Sequence, residues 1–110
     1  MAAERLKMFF SYSHATVHNE LNAWLDENAN AITITAVSLD SNEHGHCLGV
    51  LYREEPGPAY TGGVWFDYRH DVLEDAVNTE LPDLPGNARF MAVGSNKLGH
   101  AICVICEINE

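Results

Sequence analysis

The order of apolar and polar positions predicts five segments in a fixed order, met twice along the chain. Met8 to Tyr12 is a short apolar run with strand character. Val17, Leu21, Trp24 and Leu25 then recur at the spacing of one helical face. From Ala31 to Leu39 the chain reads as a strand, with Ile32-Thr33-Ile34-Thr35 alternating as a half-exposed strand does. A polar turn, Asp40 to Gly45, leads into a last strand from His46 to Arg53. The second half repeats this grammar. It has a strand over Val64 to Tyr68, a helical face of Leu73, Ala76, Val77 and Leu81, and a strand over Ala88 to Ser95. A tighter turn, Asn96 to Gly99, precedes a final strand from His100 to Ile108. Ser13 is a plausible cap for the first helix and Asp71 stands near the equivalent turn of the second. Pro82 and Pro85-Gly86 end that second helix.

The two halves are copies of one unit. Displaced by 56 positions, Phe10, Tyr12, His14, Asn22, Leu25, Ala36 and Val37 fall on Phe66, Tyr68, His70, Asn78, Leu81, Ala92 and Val93. With a two-residue gap placed in the polar turn, Gly45, His46 and Val50 fall on Gly99, His100 and Val104. Repeat 1 covers about 7–53 and repeat 2 about 64–108, and the Pro- and Gly-rich stretch 54–63 reads as a linker. Each copy is β-α-β-β. A right-handed crossover makes the first two strands parallel, and the hairpin returns the third between them, the split β-α-β arrangement of ferredoxin-like folds. The expectation is one α+β domain over 1–110. It has a six-stranded, mainly antiparallel sheet with two helices on one face. Cys47 to Tyr52 and Ala101 to Cys106 are apolar on both faces, which two helices on one side cannot cover. Sheet-to-sheet packing into a homodimer or higher homo-oligomer is the expected remedy.

Composition narrows the function classes. The chain has 110 residues, enough for one core, and 46% of them are hydrophobic. No stretch has the length of a bilayer span, and the first residues lack the apolar run of a signal peptide, so a soluble cytoplasmic protein without membrane contact is expected. Sixteen acidic residues stand against six basic ones, a formal net charge of −10. That balance excludes a nucleic-acid surface, which requires clustered Lys and Arg. It permits an acidic protein that occupies a basic surface on a partner. The three cysteines rule against a closed disulfide framework. Cys103 and Cys106 are three apart on a strand, so their sulfurs point to opposite faces and no CxxC metal or redox pair forms.

Candidate site residues come from the repeat and from its exceptions. His14 and His70 follow the first strand of each copy and open its helix, where an imidazole could bind an anion or serve as a base. The shared Tyr-x-His also suits a framework turn. His46 and His100 follow the hairpin glycines, and with His44 they show no metal-ligand spacing, so neither metal nor cofactor is expected. The exceptions are Arg69 against Ser13, Arg89 against Thr33, Arg53 against Glu107 and Trp65 against Phe9. With Tyr12, Tyr68 and Tyr60 they form the parts of a site for a planar anionic ligand, the arginine fork holding charge and the rings stacking. No P-loop, nucleophile elbow, HExxH or GxGxxG is present, so an enzyme is not expected.

Two resemblances bear on this. Phe9 to His14, "FFSYSH", is similar to the first box of TIR domains, but no flavodoxin-like alternation of strands and helices follows, and that identification is rejected. Lys7-Met8-Phe9-Phe10, then Leu21-Asn22 and Trp24-Leu25, Ile32 to Val37 and Gly49 to Tyr52, resembles small sporulation-associated proteins of spore-forming bacteria and their phages. Those are single β-α-β-β units of about half this length. The resemblance implies the fold and no catalytic residues. The reading at this point is a small oligomeric module that binds or sequesters an anionic nucleotide-like ligand without catalysis. Its alternatives are an acidic protein-binding inhibitor, as in phage anti-defence, and a structural subunit with no ligand.

Overall fold

A computed structural model describes residues 3–108. The first unit runs β1 (Glu4–Ser11), α1 (His14–Glu27), β2 (Thr33–Asn42) and β3 (Gly45–Arg53). The second runs β4 (Ala59–Asp67), α2 (His70–Glu80), a short 3-10 turn (Leu81–Asp83), β5 (Asn87–Ser95) and β6 (His100–Ile108). Within each unit the third strand lies between the other two, in the orders β1-β3-β2 and β4-β6-β5, and every pairing is antiparallel. The first two strands of each unit are therefore parallel, split by the third, as the pattern predicts. The six strands do not join into one sheet. They form two three-stranded sheets. The alternation that predicts each strand says which faces are apolar and not whether the neighbour across an edge is a strand or another sheet's face.

Each helix covers one face of its own sheet. Val17, Leu21 and Leu25 of α1 are buried in one cluster with Phe9, Ile34, Leu39, Leu48 and Val50 of the first sheet. Trp24 meets Phe9 edge-on at 5.9 Å and Tyr52 at 5.0 Å. Leu73 and Val77 of α2 pack on Val104 and Cys106, with Trp65 and Ile102 at the margin. The opposite face of the second sheet is also dry. Val64, Ala92, Ala101, Cys103 and Ile105 belong to the first unit's cluster. The second unit thus stacks its bare sheet face on the helix and sheet of the first. Cys103 and Cys106 sit in separate clusters on opposite faces, both as free thiols.

Local chemistry explains the joints. Ser13 caps α1, its side chain accepting from the Thr16 N–H. The cap position of α2 is Arg69, which offers no side-chain cap; Asp71 lies in the first turn and pairs with Arg69 instead. The strand β4 starts at Ala59, so the glycines read as linker are strand. A Cβ on Gly62 would lie 2.8 Å from Leu21, and glycine there lets α1 lie against this strand. At the other margin a Cβ on Gly94 would lie 2.9 Å from the Ser41 nitrogen and 3.0 Å from the Leu39 oxygen, where β5 crosses β2.

The pairing also corrects the alignment of the copies. Each second strand is bulged at one place, between Ile34 and Ala36 and between Ala88 and Phe90. Thr33 opposes Arg53 as Asn87 opposes Glu107, and Ser41 opposes His46 as Ser95 opposes His100. The displacement is therefore already 54 throughout these strands. The two-residue gap falls before β2, not in the hairpin, and the two hairpin turns are equal in length. Arg89 stands against Thr35, not Thr33.

Candidate functional site

The two units meet in a cleft of about 520 Å³ at the strand ends where the helices begin. Tyr12, His14 and His46 enter it from the first unit, Phe66, Tyr68 and Leu98 from the second, with Asn42, Glu43, Asp67 and Asn96 as polar lining. The rings are ordered around Phe66. His14 stacks on it at 6.0 Å and 24°, His46 meets it at 5.1 Å and 61°, and Tyr68 edges it at 5.5 Å and 83°. His14 and His46 are 6.4 Å apart and nearly perpendicular.

His46 is held from behind. Its Nδ1 is 2.7 Å from the Ser41 hydroxyl, and both residues are buried, which commits Nδ1 inward and leaves Nε2 for the cleft. Burial lowers the His14 pKa, and His18 lowers it further. Burial lowers that of His46, with His14 adding to it. These shifts favour the neutral imidazole, in which one ring nitrogen donates and the other accepts.

The second unit repeats this framework with less cover. Ser95 Oγ is 2.7 Å from His100 Nδ1, and His70 stands 6.0 Å from His100 at 89°. This set lies on a groove of about 440 Å³ between α2 and β5. The sequence pairs the histidines but not the serines. Ser41 and Ser95 each precede their histidine by five positions, a signal hidden when the alignment gap is put in the hairpin.

The residues singled out from the sequence fall in several places. Tyr12, Tyr68 and His14 share the cleft; His70 lies on the α2 groove. Arg69 follows Tyr68, but its guanidinium is held by both oxygens of Asp71 at 3.1 and 2.6 Å, which holds the Asp71 carboxyl below its usual range. Arg53 pairs with Glu4 and Glu55, both at 3.8 Å, at the far end of the first sheet. Arg89 pairs with Glu107 at 3.2 Å, at the far end of the second. Trp65 packs toward α2 and donates its ring N–H to Glu80. Tyr60 is a core residue whose hydroxyl accepts from the Ile34 N–H, and burial raises its pKa. The arginines and the rings therefore do not assemble into one site.

Ser41 is buried, and burial pushes the Cys103 thiol up to about 12 and raises Cys106. Among the described residues no group of three or more His, Cys, Asp or Glu is placed to hold a metal ion, and no helix is long and apolar enough to cross a membrane. No family model matches this chain, and no curated protein or solved structure is similar enough to it to count as a match.

Proposed function

We propose that the chain is a binding module whose junction cleft takes a small planar heteroaromatic ligand of nucleobase type and does not turn it over. One observation carries this reading: His14, His46 and the rings of Phe66, Tyr12 and Tyr68 line one cleft between the repeats. Flat rings provide stacking faces, and the imidazoles and the Asn42 and Asn96 amides provide edge hydrogen bonds. Glu43 and Asp67 stand in the lining, and Arg69 is committed to Asp71. The cleft therefore suits a neutral or cationic ring, a nucleoside before its phosphate.

Thermal-shift and calorimetric titration with nucleosides, their phosphates and planar amines tests this. Tyr12 and Tyr68 are exposed, so their removal leaves the fold intact. Changing either to Ala is expected to cost about 1–3 kcal/mol of binding, the usual worth of a base–aromatic stack. Arg53→Ala is expected to leave binding unchanged. No response across the panel, or binding that survives loss of both tyrosines, overturns the reading.

A further inference from the structure

The contact between the two units is unlike on its two sides. The first unit contributes the groove between α1 and β2; the second contributes the bare face of its sheet. A contact of this head-to-tail kind leaves one unused half at each end of the pair. Both halves are present and apolar. The bare face of the first sheet exposes Leu6, Met8 and Phe10 at 58, 56 and 53%. The groove between α2 and β5 is lined by Leu73, Val77, Met91 and Val93. We propose that a second copy of this chain docks its first-sheet face into the α2 groove, repeating the internal contact between molecules and completing a second cleft around His70 and His100.

The two contacts correspond in position and strand register. Inside the chain, the Asn22 side chain donates to the Gly62 carbonyl at 2.7 Å and accepts from its N–H at 2.9 Å, closing the free edge of β4. His18 Nδ1 accepts from the Val64 N–H at 3.0 Å. Displaced by 56, the helix residues become Asn78 and Glu74, both exposed on the α2 groove, and the edge residues become Leu6 and Met8. Leu6 pairs with Leu51 in the register by which Gly62 pairs with Ile105, so its N–H and carbonyl face outward as those of Gly62 do. Glu74, like His18, presents an acceptor. Phe66, which covers His14 and His46, corresponds to Phe10, which is exposed, as is His70, which it would cover. Where Gly62 faces Leu21, Leu6 would face the smaller Val77.

Both glycines of the internal contact are replaced between molecules, Gly62 by Leu6 and Gly94 by Asp40. Asp40 stands where Gly94 allows the sheets to close, so the contact between molecules is wider on that side. The completed second cleft also differs in charge. Lys97 takes the place of Glu43, while Phe10 and Tyr12 arrive from the second copy.

Met8→Glu blocks the face and Met91→Glu blocks the groove; both methionines are exposed, so each variant is expected to keep the parent melting temperature. Light scattering after size exclusion is expected to show two or more copies for the parent chain at high micromolar concentration and the 12.2 kDa monomer for each variant. An equimolar mixture of the two variants is expected to recover association, stopping at twice that mass, because one intact face meets one intact groove. A parent chain that stays monomeric overturns the proposal. So does a Met91→Glu chain that still dimerises, the outcome of sheet-to-sheet pairing, or a mixture that stays monomeric.

Discussion

At the scale of single residues, Gly94 and Gly62 fix how closely the two units approach. A Cβ on Gly94 meets backbone atoms of Leu39, Asp40 and Ser41, which cannot move aside singly. Gly94→Ala is therefore expected to cost about 1–3 kcal/mol in chemical denaturation, the usual range for overpacking. Gly62→Ala meets a Leu21 methyl group, which can rotate, and is expected to cost less. His14 and His46 carry a pH dependence. Their folded pKa values lie below the ordinary value of 6.5, so the unfolded chain binds more protons and stability is lost as pH falls from 6.5 through the lowered values. Melting temperatures at pH about 7.5 and about 5.5 are expected to differ in this direction, and the difference is expected to shrink in His46→Gln. The histidines were legible as repeated residues. Their serine supports were not, because a gap in the wrong loop takes Ser41 and Ser95 out of register.

At the scale of elements, α1 and α2 are copies in different surroundings. Asn22 satisfies both backbone groups of an edge residue, whereas Asn78, its copy, is exposed. Asn22→Ala is expected to destabilise the chain by about 1–3 kcal/mol, since it strands polar groups at a partly buried edge. Asn78→Ala is expected to leave the monomer's unfolding midpoint within about 0.5 kcal/mol, as surface changes usually do. Its effect should appear in self-association instead. Apolar periodicity made the helices and the order of strands readable, since Val17, Leu21 and Leu25 and then Leu73 and Val77 do lie buried on one face. The start of β4 was not readable. Gly62 and Gly63 look like linker until the helix that needs the space against Gly62 is known.

At the scale of the whole molecule, the sequence shows strands apolar on both faces and leaves open what covers the second face. Half of that cover is internal, because the second sheet lies on the first unit. A chain written twice can form one long sheet or a stack, and the same alternation serves both. The stack is what creates the cleft, since His14 and His46 meet Phe66 only across the junction. The most direct measurement is the imidazole proton spectrum of the six histidines during titration with a neutral nucleoside. Saturable shifts of His14 and His46 are expected, with Tyr12 and Tyr68 moving alongside them and His44 unmoved. Shifts spread evenly over all six, or none at millimolar nucleoside, contradict it.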